Sequence, residues 1–317
     1  MRPVQAVPGE PVQVMYVGGM PRSGTTLLDL MLGQLPEHVA VGELFHLWSE
    51  GLHSNLLCEC GEPFAECVFW AEVGQRAYGG WDQLDRTRVA ALVGRVDRTS
   101  ALPLLLAPWL SRTFSAQLQE YTDLLVPLYA AVRDVSGKRV VVDSSKRPSL
   151  AYVLRRSASV DLRVVQLVRD PRGVAHSWSK KVPLPPGAGV RDHLKVRSPQ
   201  LIGRRWVTVN ALIAALSTLG VPLVCLRYED VVCDPQAALR RAADLFGTGL
   251  GEHELDFVAE DGLHLAPAHS VAGGRVRFRA SPFALRLDER WRTDMPAGPR
   301  RLVEGMTALS RRRYGYR

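Results

Sequence analysis

Tyr16 to Leu28 reads YVGGMPRSGTTLL, a glycine-rich loop in which Gly19 and Gly24 have the separation of a phosphate cradle. In the nucleotide-hydrolysing form of such a loop, a Lys after the second Gly reaches the terminal phosphates and the next hydroxyl holds magnesium. Here Thr25 takes the Lys position and Thr26 follows it. An apolar run, Val12 to Val17, leads into the loop and a helix-compatible run, Thr25 to Leu35, leads out. The backbone N–H groups of Ser23, Gly24, Thr25, Thr26 and Leu27 are therefore expected to converge on an anion at a helix N-terminus. Arg22, inside the loop, suits a terminal anionic group that is gripped without a metal ion.

Two later segments carry compatible chemistry. Val140 to Pro148 reads VVVDSSKRP, a buried-strand pattern ending in two hydroxyls and Lys146, at the edge where ligands of open α/β sheets bind. Asp143 has the look of a magnesium-holding acid, a weak reading without the loop Lys. Leu167 to Trp178 reads LVRDPRGVAHSW, with Arg169 at a strand end and Ser177 two turns into the following helix. Together they could hold a phosphate, the Arg through charge-assisted bonds, with Lys181 one turn further on adding charge. RDPR is also a common salt-bridged turn.

The first loop resembles the 5′-phosphosulfate loop of sulfotransferases that use 3′-phosphoadenosine 5′-phosphosulfate (PAPS). P-R-S-G-T-T-L is its form in the tyrosylprotein and bacterial branches, whereas cytosolic small-molecule members usually carry Lys where this chain has Arg22. The Arg169–Ser177 separation matches the 3′-phosphate site of that family. VCLRYEDVVCDP, Val224 to Pro235, matches its strand-Tyr-Glu-Asp-helix element, where Tyr228 would lie against the nucleotide. HSVAGGRVRFRA, His269 to Ala280, resembles the C-terminal loop that closes over the 3′-phosphate and adenine, with Arg275 and Arg277 as grips. The usual G-N-P-type turn is replaced by Gly273-Gly274-Arg275. LDERW, Leu287 to Trp291, completes the resemblance, which spans nearly the whole chain.

What the resemblance implies is sulfuryl transfer from PAPS to a hydroxyl or an amine, releasing 3′,5′-ADP, with no catalytic metal. Arg22 and Lys146 would stabilise the transferring group and the bridging oxygen. Glu43, in AVGELFHLW, corresponds to the general base of the tyrosylprotein branch; His46 is the alternative, since its ordinary pKa suits the task better. Glu43 could instead pair with Arg22 to fix the loop. Two rival readings are a P-loop kinase or NTPase and a non-catalytic polyanion-binding protein. The acceptor, whether small metabolite, sugar or lipid, is not legible.

Cys58, Cys60 and Cys67 cluster in LCECGEPFAECVFW, while Cys225 and Cys233 lie apart. The cluster is compatible with a structural zinc site completed by a ligand such as His53, with a disulfide, or with packed thiols.

These residues need elements to position them. Short apolar strands at 139–142, 162–168 and 221–226 alternate with helical stretches at 149–156, 173–180, 203–218 and 235–246, which argues for an α/β, P-loop-type doubly wound parallel sheet. A helical, Cys-containing insertion or cap over about 45–136 belongs to the same single domain, and a Pro- and Gly-rich loop at 182–199 reads as a mobile lid or a surface loop. At 317 residues, 46% hydrophobic and 23% charged, the chain can bury a sizeable core. It has no apolar run of about 18 residues and no secretory h-region at its N-terminus, so a cytoplasmic location without a membrane span is expected. The net charge of +8 fits a small polyanion as well as a nucleic acid. The Arg311–Arg313 cluster lacks interleaved aromatics and reads as a solvated helix end, so no nucleic-acid partner is expected.

Overall fold

The computed structural model describes residues 10–183, 193, 195–278 and 281–317. The apolar runs form five parallel strands: β1 Val12–Gly18, β2 His38–Ala40, β3 Val140–Lys146, β4 Val160–Val168 and β5 Leu223–Arg227. Their spatial order is β2-β3-β1-β4-β5. The central strand is buried on both faces, as the period of two requires. Val14 and Tyr16 enter one apolar layer, Met15 and Val17 the other. After β1 the chain builds one side of the sheet, then crosses to β4 on the other side. That reversal opens a crevice beyond the carboxyl end of β1, where open α/β sheets bind ligands.

Helix α1, Thr25–Leu32, follows β1. Between β2 and β3 lie α2 Val68–Tyr78, α3 Arg86–Val96, α4 Leu102–Leu106 and α5 Arg112–Ser136. In α5, Leu118, Tyr121, Leu125, Leu128 and Val132 form the buried stripe of an amphipathic helix. Ser111 caps its start by accepting from Phe114 N, and Gly137 closes its end in the left-handed region. The remaining helices are α6 Pro148–Leu154, α7 Pro171–Ser179, α8 Pro199–Thr218, α9 Tyr228–Cys233, α10 Pro235–Ala243, α11 Trp291–Asp294 and α12 Ala297–Arg313. The Arg311–Arg313 cluster does end a helix, α12. No helix among the described residues is long and apolar enough to cross a membrane.

One element departs from the sequence reading. β2 was not anticipated, because a three-residue edge strand has too few positions to display alternation. β3 runs from Val140 to Lys146 and carries its two hydroxyls and the Lys to the crevice edge. Residues 184–192 and 194, most of the expected 182–199 lid, lie outside the described residues.

Candidate active site

The glycine-rich loop turns sharply between β1 and α1. Gly24 has φ 90°, and a Cβ there would sit 2.5 Å from Cδ2 of Tyr228, so only Gly lets the Tyr ring cover the loop. Arg22 is held at φ 77°, an uncommon conformation for a side-chain-bearing residue. Its guanidinium lies 5.3 Å from the centre of the Trp178 ring, and Trp178 Nε1 donates to Pro21 O at 3.1 Å. Ser23 is fully buried and its hydroxyl has no protein partner. Helix α1 starts without a side-chain cap or an acidic residue in its first turn, leaving the positive end of its dipole directed at the loop. Thr26 Oγ1 accepts from Gly274 N at 3.1 Å, which ties the C-terminal loop onto this helix start.

Arg169, just beyond β4, faces the same cleft. Its Nη1 donates to Arg22 O at 3.2 Å and its Nη2 to Asp288 O at 2.7 Å, and its guanidinium lies 4.4 Å from the Tyr228 ring centre. Trp206 Nε1 donates to Arg169 O at 2.9 Å and fixes the backbone. Burial pushes the Asp288 carboxyl upward, yet hydrogen bonding to Arg290 and the charge of Arg169 outweigh this and hold it below the usual carboxylate range. The salt-bridged turn anticipated for RDPR forms from its other members: Arg172 Nη2 lies 2.6 Å from Asp170 Oδ2, while Arg169 stays at the cleft.

The end of β3 supplies the third group. Asp143 is buried, its Oδ2 accepting from Tyr129 Oη at 2.5 Å and its Oδ1 from Ser145 N at 2.8 Å and Ser145 Oγ at 2.5 Å. Burial raises its pKa to about 6 against those hydrogen bonds. Ser145 Oγ also accepts from Phe45 N at 2.9 Å, so Asp143 and Ser145 anchor the 3₁₀ turn Leu44–His46. Glu43 precedes that turn, and Lys146 Nζ donates to its Oε1. Lys146 adopts φ 65° and is 6% exposed. His46 Nε2 lies 3.8 Å from Glu43 Oε2, and its Nδ1 lies 3.3 Å from Glu50 Oε1. Burial raises the pKa of Glu50 despite the nearby His46.

A cavity of about 870 Å³ joins these groups: Arg22, Gly24–Leu27, Glu43, His46, Lys146, Arg169, Ser177 and Tyr228 all line it. Three anticipated residues fall elsewhere. Ser23 is absent from the lining, and its N–H donates to Met20 O at 3.2 Å inside the loop turn. Lys181 is exposed and absent from the lining, because α7 ends at Ser179 and the extended Lys180 breaks the helical register with Ser177. Arg277 is buried and donates through Nη1 to Ser270 O at 2.8 Å, since the 3₁₀ turn Arg275–Phe278 presents Val276 to the cavity instead. The Arg275 side chain lies outside the described residues.

His53 lines the cavity and does not join the cysteines; His269 does. Asp288, Lys195 and Trp178 also line the cavity and carried no local signal of it. The Asp288–Arg169 contact spans 119 residues, a pairing that only the folded chain makes.

The sulfotransferase family profile matches residues 15–251. Among solved structures, the sulfotransferase domain of the Synechococcus PCC 7002 olefin synthase superposes with a TM-score of 0.51 at 18% identity, covering 99% of this chain and 98% of that one. The sulfotransferase domain from the curacin biosynthetic pathway gives 0.45 at 16% identity over 95% and 98%. STF9 from Mycobacterium avium gives 0.46 at 12% identity over 95% and 76%. No curated protein matches the chain. The first of these superpositions supports the α/β sheet as a sulfotransferase fold, and the profile covers most of the sequence, so the chain belongs to the sulfotransferase family.

Proposed function

We propose that this sulfotransferase takes its sulfuryl group from PAPS and passes it to a hydroxyl or an amine by in-line displacement. The acceptor oxygen or nitrogen attacks sulfur, the bond from sulfur to the 5′-phosphate oxygen breaks, and the acceptor proton goes to Glu43. The products are the sulfated acceptor and 3′,5′-ADP. Arg22 and the loop amides hold the phosphosulfate, and Lys146 neutralises the charge that grows on the bridging oxygen. Arg169 and Ser177 hold the 3′-phosphate, and Tyr228 packs against the nucleotide. The reaction as written needs no metal.

The observation that carries this reading is the single cavity in which Arg22, Lys146, Glu43 and Arg169 meet, with Arg169 bonded to the Arg22 backbone. A kinase reading is less well supported. Thr25 replaces the phosphate-binding Lys, and both oxygens of Asp143 are engaged by Tyr129 and Ser145 rather than turned to the cavity.

A second pocket of about 350 Å³ lies between residues 45–53 and α3 and shares Ser49 and His53 with the main cavity. Phe45, Trp48, Leu52, Val89 and Val93 give it an apolar lining. An acceptor with an apolar body fits there with its nucleophile at Glu43 and His46. The deciding experiment is calorimetry with 3′,5′-ADP against ADP and ATP. Selective binding of the 3′-phosphorylated nucleotide is expected, and indifference to that phosphate rejects the donor assignment.

A further inference from the structure

Cys58, Cys60, Cys67 and His269 bring four ligand atoms within 4.8 Å of one another. Cys67 Sγ lies 3.7 Å from both Cys58 Sγ and Cys60 Sγ; His269 Nδ1 lies 3.3 Å from Cys67 Sγ and 3.8 Å from Cys58 Sγ. Zn–S bonds near 2.3 Å and Zn–N bonds near 2.0 Å set tetrahedral edges of about 3.8 Å between sulfurs and about 3.5 Å between sulfur and nitrogen. A disulfide would need its sulfurs at about 2.05 Å. Four of the six ligand pairs have the spacing of a coordination shell, and the other two lie within 4.8 Å.

The surroundings are built for the same task. Cys58 and Cys60 sit on a tight knuckle closed by Cys58 N donating to Glu62 O at 2.8 Å and Gly61 N donating to Cys58 O at 3.0 Å. The backbone N–H groups of Cys60 and Trp70 donate to the sulfurs of Cys58 and Cys67, as amides around a metal thiolate do. Phe69 stacks on the His269 ring at 4.8 Å and 6°, and Trp70 Nε1 donates to His269 O at 2.9 Å, which fixes the imidazole. None of the four ligands lines the donor cavity.

We propose that these four residues bind one structural zinc ion, independently of which sulfuryl donor the enzyme uses. Binding displaces the three thiol protons and forms three Zn–S bonds and one Zn–N bond, with no change of oxidation state. The ion joins the insertion to a segment 202 residues beyond Cys67. From His269 the chain runs to Val271, whose N donates to Val41 O at 3.0 Å, and on to Gly274, which bonds Thr26. Zinc thereby holds the C-terminal loop over the phosphate-loop helix.

The test is elemental analysis of the full chain purified without chelators, with cobalt substitution as a geometric readout. About one zinc per chain is expected, and the cobalt form should show tetrahedral thiolate bands. Cys60→Ser and His269→Ala should each lose most of the metal and lower Tm. Wild-type protein that contains no zinc and takes up neither Zn²⁺ nor Co²⁺ overturns the proposal, even if the variants misfold. A disulfide detected by intact mass, or iron in place of zinc, also overturns it. Loss of 3′,5′-ADP binding in every form would count against the donor assignment and leave the zinc site standing.

Discussion

Lys146 donates its ammonium hydrogen bond to Glu43 Oε1, and both residues line the cavity at the mouth of the phosphate loop. The group assigned to neutralise the leaving oxygen therefore holds the group assigned to accept the proton. Sulfotransfer would part them, as charge on the bridging oxygen competes for Lys146.

Glu43→Gln should lower kcat by about 10²–10⁴-fold with little change in affinity for 3′,5′-ADP, the scale of a lost general base. His46→Gln should cost far less. If the two losses are reversed in a pH–rate comparison, His46 is the base and Glu43 its partner.

Arg22→Ala removes the charge that the proposed reaction sets against the transferring group and should reduce kcat by about 10²–10³-fold. Arg169→Ala should instead weaken 3′,5′-ADP and leave ADP nearly unchanged. Titration calorimetry on both variants separates these effects, and an Arg169→Ala protein of wild-type affinity would remove the 3′-phosphate assignment.

Gly24→Ala forces a methyl against Tyr228 and puts a side chain at φ 90°. We expect weaker nucleotide binding and a Tm lowered by several degrees. Adding Tyr228→Ala should restore part of the stability by removing the clash, which thermal melts of the single and double variants will show.

His38 is buried on β2, and burial, aided by Arg139 and Lys138, lowers its pKa from 6.5 to about 4. Between those values the unfolded chain binds a proton that the folded chain refuses, so stability is present above pH 6.5 and is lost as the pH falls toward 4. The shift corresponds to at most about 3 kcal/mol. Relative to His38→Phe, the wild type should lose Tm over that window; parallel profiles would contradict it.

Ala90→Trp fills the apolar pocket beside His53. It should raise KM for acceptors with apolar bodies by about tenfold or more, roughly the worth of a displaced hydrophobic contact, while 3′,5′-ADP binding stays unchanged. Equal KM values for apolar and polar acceptors in the two proteins would place the acceptor elsewhere.

The phosphate loop, Arg169 and the end of β3 were legible in the sequence because each lies at a strand-to-helix junction, where local residue types fix both the turn and the chemistry. Glu43 and His46 carried a weaker signal, since their placement depends on the Asp143–Ser145–Phe45 hydrogen bonds, which join segments 100 residues apart. Lys181 was assigned by helical periodicity, and the early end of α7 broke the period. Arg277 was assigned by the resemblance of its segment to the family's C-terminal loop, and burial in a short 3₁₀ turn took it out of the cavity. Sequence alone set the α/β alternation and the two loops to which anion binding is assigned, because backbone sterics and apolar periodicity act over a few residues. Asp288 beneath Arg169, Tyr228 over Gly24 and His269 among the cysteines were decided only by tertiary structure, which alone brings together residues 119, 204 and 202 positions apart.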